Sequence, residues 1–172
     1  METTMNKSDL VSALRANREQ VVEELRDRPA AFFTRGRYEN GWNGREILAH
    51  IASMEWTYPN LVRLAEAGNP PEGVAAVKAF DVEAYNQKQV GKRADRDVEQ
   101  LLAEFQKNRE ATIAAIEGVD DDVLEVKTTS GGGHTGRLKE IIHLIAVEHT
   151  RAHLDHIVSV ESVVHPQSTG GR

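Results

Sequence analysis

Apolar residues recur at steps of three and four along most of this chain, and that recurrence marks four long amphipathic helices. The first spans about residues 9–28, with Leu10, Leu14, Val21 and Leu25 on one face and Pro29 just past its end. A second opens at a capping box, where Asn43 accepts from first-turn amides and Glu46 reaches back. Its inward stripe is Ile47, His50, Met54, Leu61 and Leu64; Pro59 should kink it near Tyr58, and Gly68 caps its end. Residues 69–80, with Pro70, Pro71 and Gly73, read as loop, and residues 81–90 as a short helix. The third long helix starts at Asp97, where Gln100 completes another capping box, and ends near Gly118. Val98, Leu101, Phe105, Thr112 and Ile116 form its core stripe. Residues 120–122 and 128–135 read as loop, the fourth helix covers about residues 136–163, and residues 165–172 read as a frayed tail. No stretch combines strand alternation with hairpin turns, so strands are not expected. The pattern predicts an all-α four-helix bundle in one domain, residues 1–172 with a core of about 9–163. A long crossover is expected between helices two and three.

The fourth helix carries the most unusual pattern. Leu138, Ile142, Ile145, His149, His153, His156, Val160 and Val163 share one narrow arc at about 100° per residue. Imidazoles facing a core must be satisfied by something. His149 and His153, four apart, stack one turn apart on one face and can hold a single ion. A third ligand has to come from another helix, and His50 is the histidine on a core stripe elsewhere. Three neutral imidazoles leave a coordination position open, the pattern of a catalytic site. All-nitrogen ligation suits Zn²⁺, Ni²⁺, Fe²⁺ or Co²⁺ better than Mg²⁺ or Ca²⁺. The alternative is a polar core network in which the histidines bond to Asn17, Asn108 or Thr57. His156 is a fourth ligand, a side chain supporting the ligands or a substrate contact, and the support role is preferred. His143 points away from the stripe, while His134 and His165 fall in loop and tail, where mobility argues against ligation. Glu55, Glu148 and Asp155 are turned off their stripes, so no general base is legible. Ser130-Gly131-Gly132-Gly133 lacks the lysine of a phosphate loop and reads as flexible connection.

Composition narrows the partners. At 40% hydrophobic and 28% charged residues, the chain is that of a soluble globular domain. It has no apolar run approaching the roughly 20 residues of a membrane span and no signal-peptide pattern, so a cytoplasmic protein is expected. A net charge of −6 argues against nucleic acid, and residues 92–96, the basic-leaning stretch, read as solvated surface. With no cysteine, disulfides, thiolate ligands and a cysteine nucleophile are excluded. Any thiol chemistry needs an external thiol.

Trp42-Asn43-Gly44-Arg45-Glu46-Ile47-Leu48-Ala49-His50 resembles a W-[ST]-x-x-E-[LIV]-[LV]-x-H helix opening, and His149-Thr150-Arg151-Ala152-His153-Leu154-Asp155-His156-Ile157 resembles an H-x-x-x-H-x-x-Q-[IL] ending. Residues 80–86 and 93–97 resemble the linker and third helix that lie between such motifs. On these residues the chain resembles the DinB/YfiT-like superfamily, which includes the N-terminal domain of mycothiol-dependent maleylpyruvate isomerase. The resemblance implies a bundle of up-down-down-up topology and a divalent metal, often Zn²⁺ or Ni²⁺, with the family's ligands carried onto His50, His149 and His153. It implies a transferase or isomerase that activates a low-molecular-weight thiol toward a small-molecule substrate, and a possible homodimer. Other relatives point to a metal-dependent hydrolase or a non-catalytic, ligand-sequestering resistance protein. His156 departs from the pattern, standing where the family usually shows Gln.

Overall fold

The structure, a computed structural model, describes residues 4–36, 41–73 and 80–163; the tail expected at residues 165–172, with His165, lies outside them. Helix α1 (Lys7–Leu25) is closed at its start by an Asn6–Asp9 capping box. A short α2 (Ala30–Thr34) follows, then α3 (Gly44–Glu55), opened by the Asn43–Glu46 box. The expected kink at Pro59 is a full break: α3 stops at Glu55 and α4 (Tyr58–Glu66) restarts with Pro59 in its first turn. Helix α5 (Val82–Gly91) lies in the crossover, and α6 (Val98–Glu117) begins at the Asp97–Gln100 box. After α7 (Asp121–Leu124), the chain reaches α8 (Leu138–Ile142), a π-helical turn (His143–Glu148) and α9 (His149–Val163), which together make the last rod of a four-helix bundle.

Three expectations need correction. A two-stranded antiparallel hairpin, β1 (Lys127–Thr129) and β2 (Thr135–Arg137), interrupts the stretch read as loop and start of helix. Three residues per strand are too few to show alternation. The break before α4 rotates its inward face to Tyr58, Val62 and Ala65, leaving Leu61 and Leu64 half-buried. Within the expected solvated stretch, Arg93 is buried and clasps Glu104 with its guanidinium. Burial pushes the Glu104 carboxyl up, but Arg93 and Arg96 pull it down further, to a net position below its usual range.

Leu10, Leu14, Val21 and Leu25 of α1 are fully buried, as the periodicity requires, and so are Leu101, Phe105, Thr112 and Ile116 of α6. Helix α3 is different, because residues 47–53 are buried without interruption. It is a central helix with no solvent face to speak of, so a one-stripe reading fails on it. Gly44 sits where a Cβ would meet the Phe33 carbonyl at 3.3 Å and the Ile157 side chain at 3.4 Å, which lets α3 start hard against α2 and α9.

Arg109 fills the gap in the α6 stripe between Phe105 and Thr112 and has no exposed surface. Its Nε and Nη2 donate to the two Glu55 oxygens, the second at 3.1 Å. Nη1 donates to the Leu14 carbonyl at 2.9 Å and to Asn17 Oδ1 at 3.1 Å, and Nη2 also donates to the Ala146 carbonyl at 2.6 Å. Glu55, read from the stripe as facing away, is therefore a core residue. Replacing Arg109 by Leu leaves this carboxylate buried without its cation. Urea unfolding of Arg109→Leu should show a loss of about 3–5 kcal/mol, whereas Arg109→Met combined with Glu55→Met should lose much less. Equal losses in the two proteins would show that the charges themselves are not what the core requires.

Candidate metal centre

His50 comes from the middle of α3, and His149 and His153 from the first two turns of α9. Their ring nitrogens lie within 4.8 Å of one another, and Nε2 of His149 and Nε2 of His153 face each other at 3.0 Å. The rings stand nearly perpendicular, with centroids 5.7 Å apart for His50–His149 and 5.0 Å for His50–His153. Trp42 packs against His50 with ring centroids 5.0 Å apart, and its indole N–H donates to Gln87 at 3.1 Å. Among the described residues, this trio is the one cluster of histidine, aspartate and glutamate side chains able to hold an ion.

The competing network reading fails on its named partners. Asn17 bonds Arg109 and donates to the Val147 carbonyl, Asn108 donates to the Ala52 carbonyl, and Thr57 donates to the Met54 carbonyl. None of them serves a histidine. Among the described residues, Nδ1 of His50 and Nδ1 of His153 are buried with no hydrogen-bond partner. Burial, reinforced by the neighbouring imidazoles, lowers His50 and His153 from 6.5 to about 3, and burial with His134 lowers His149 as well. The rings are therefore neutral at physiological pH, which is the form that binds metal.

The stripe expected to run straight along the fourth helix does not survive the π-turn. His149 and His153 sit at the rim of the core face, half-buried, and His156 is exposed, with its ring centroid 5.9 Å from that of His153. His156 lies outside the three-nitrogen cluster. His143 is half-buried and its Nδ1 meets the Glu148 carboxylate at 3.2 Å, while Asp155 is exposed.

A cavity of about 710 Å³ opens beside His149, walled largely by apolar side chains such as Met54, Tyr58, Leu61 and Ile145. His134 and Glu148 are also among its lining residues. Sequence reasoning set His134 aside as mobile. The hairpin instead holds it: Thr129 N–H donates to the Pro71 carbonyl at 2.7 Å, Gly73 N–H donates to Thr129 Oγ1 at 2.8 Å, and His134 N–H donates to Ser130 Oγ at 3.2 Å. The residues that could have flagged this wall are the threonines flanking the glycine turn.

The family model described as the DinB superfamily matches residues 12–157. The chain belongs to the DinB superfamily. Among solved structures, the Bacillus subtilis protein YfiT, described as a probable metal-dependent hydrolase with an unusual four-helix bundle topology, superposes with a TM-score of 0.73 at 16% identity, covering 95% of this chain and 91% of YfiT. A mycothiol-dependent maleylpyruvate isomerase superposes with a TM-score of 0.69 at 16% identity over 91% of this chain; this DinB-superfamily chain spans 61% of the isomerase. An uncharacterised protein from Clostridium difficile 630 gives a TM-score of 0.66 at 16% identity, covering 95% and 100% of the two chains. At these identities the likeness speaks to the fold. No curated protein matches the sequence. Among the described residues, no helix is long and apolar enough to cross a membrane.

The lowered histidines set a pH dependence for the metal-free protein. Their folded pKa values, about 3 for His50 and His153, lie below the unfolded 6.5. The unfolded chain therefore takes up protons first as pH falls, and stability should decline from about pH 6.5 down toward pH 3. The slope approaches about 1.4 kcal/mol per pH unit for each of the two groups. Urea melts of chelator-treated protein at pH 7.5, 5.5 and 4.5 check this. Equal stability at all three, or in His50→Phe a decline as steep as in the parent, would contradict it.

Proposed function

We propose that this protein binds a divalent metal ion through His50, His149 and His153 and uses it to activate a low-molecular-weight thiol for transfer to a small substrate in the adjoining cavity. The observation that carries the reading is the convergence of three neutral imidazoles, two with orphaned buried nitrogens, at the edge of a largely apolar pocket. Nitrogen ligands favour Zn²⁺ or Ni²⁺. When bound, such an ion supplies the positive charge that lowers the pKa of a thiol or water at its open position.

The chain's own residues do the rest. His50 is fixed by a fully packed helix, which holds one ligand while His149 and His153 close from α9. Met54, Tyr58, Leu61 and Ile145 exclude water from the side where the substrate body rests and select an apolar one. Glu148 and His134, lining the same cavity, are the groups placed to take up or return a proton there. The absence of cysteine means the thiol is a co-substrate. Residues 1–172 act as a single domain in this reading, with a homodimer as the assembly to test by sedimentation.

Two other readings have support of their own. Glu148 beside His149 suits a metal-dependent hydrolase of a small substrate, the description carried by YfiT. The apolar cavity also suits a protein that sequesters its ligand without turnover. A screen of cellular thiols against a generic electrophile, run with metal-loaded and stripped protein, separates the three. Thiol-dependent turnover supports the transferase, turnover without thiol the hydrolase, and stoichiometric protection alone the binder.

Metal analysis tests the ligand set. His50→Ala, His149→Ala and His153→Ala should each abolish stoichiometric binding, while His143→Ala and His156→Gln should retain it. Full occupancy in His50→Ala removes the assignment. An ion that binds the folded chain alone adds about 4 kcal/mol at a thousandfold excess over Kd, equivalent to roughly 8–16 °C in melting temperature at this size. Thermal melts of loaded and stripped protein at neutral pH should differ by that order, and a gap near zero sinks the metal reading.

A further inference from the structure

The last rod of the bundle leaves regular α geometry at one place, the turn His143–Glu148. There the His149 N–H bonds the Leu144 carbonyl five residues back, and the His143–Glu148 contact at 3.2 Å spans five residues too. Such a turn absorbs one extra residue, and its consequence is visible in the burial. Before it the core face is Leu138, Ile141 and Ile142; after it the face is Thr150, Leu154 and Ile157. A regular helix continuing the first face would bury His149, His153 and His156 instead. The face has advanced by about one residue, a rotation of roughly 100°.

π-Turns are rare, occur mostly as single turns inside α-helices and are frequent at functional sites. Here three side chains from three other segments donate to three successive carbonyls of the turn. Tyr58 Oη donates to Ile145 O at 2.9 Å, Arg109 Nη2 to Ala146 O at 2.6 Å, and Asn17 Nδ2 to Val147 O at 3.4 Å. All three donors are buried, so each loses a partner it cannot replace with water if the turn relaxes.

We propose that Arg109, Tyr58 and Asn17 are positioning residues for the histidine site: they hold the π-turn, and the π-turn sets the rotation of α9 that aims His149 and His153 at His50. Without that rotation the two imidazoles turn into the packed face and part from His50. The proposal rests on the metal reading for one of its two readouts only.

The test keeps the Arg109–Glu55 pair intact and removes the other two donors, in Tyr58→Phe/Asn17→Leu. A second protein adds deletion of His143, which takes out the extra residue and lets the rod run as regular α-helix with both flanking faces in place. Each is titrated with Co²⁺ and followed by visible d–d absorption. Each is also examined metal-free by NMR for contacts between the His50 and His153 rings, whose centroids stand 5.0 Å apart. The double variant should bind Co²⁺ at least tenfold more weakly and lose the ring contact, and the deletion should restore both. A purely structural role would not be rescued by shortening the helix. Unchanged Co²⁺ affinity with the ring contact retained overturns the proposal, as does a folded deletion protein that restores neither. If the double variant does not fold, Tyr58→Phe alone decides by the same two readouts. A parent protein that takes up no Co²⁺ but shows the NMR pattern removes the metal reading and leaves the positioning intact.

Discussion

An arginine with no exposed surface must have every donor met from within, and in this bundle that demand ties the four helices together. A guanidinium offers five N–H donors. Arg109 places them on Glu55, Leu14 O, Asn17 and Ala146 O, with Glu55 taking two, so none is wasted and each of the three rods around α6 contributes an acceptor. Desolvating such a pair costs several kcal/mol, so the pair itself adds little net stability, whereas losing one partner alone is costly. A sequence that placed any rod one residue out of register would strand a charge in the core. Burial lifts the Glu55 carboxyl above its usual range, and Arg109 and Thr112, both on α6, oppose that lift.

The histidine trio obeys the opposite rule. Helix α3 carries both systems, with His50 one and a half turns before Glu55. At the glutamate end every polar atom of Arg109 is answered inside the protein. At the histidine end two buried nitrogens are not, and the rings are held neutral. The same helix thus carries one layer in which every donor is met and another whose three imidazoles could hold an ion.

Much of this was legible in the sequence. Capping boxes at Asn43 and Asp97 placed two helix starts, and the apolar faces of α1 and α6 came out as the periodicity required. His50, His149 and His153 were brought together from the stripes alone. What escaped were the features that break periodicity. Glu55 was misplaced because α3 is buried on nearly every side, and Arg109 because a charged residue in an apolar stripe was passed over although the gap between Phe105 and Thr112 marked it. A π-turn leaves no composition signature, so the face of α9 was read one residue early and His156 was put inside. Strands of three residues carry no pattern, which hid the cavity wall bearing His134.

That one-residue error shows what the site needs. Imidazoles at the centre of the face would be sealed by packing, able to hold an ion but not to present it. Fully outside the face, they would lose the burial that keeps them neutral and oriented. The π-turn sets them between these limits, half-buried beside a cavity that ends at His149. Buried α3 supplies His50, and the rotated rim of α9 supplies His149 and His153, of which His149 reaches the pocket. The buried arginine is what makes that rotation affordable, because the carbonyls of the turn are also the acceptors its neighbours require.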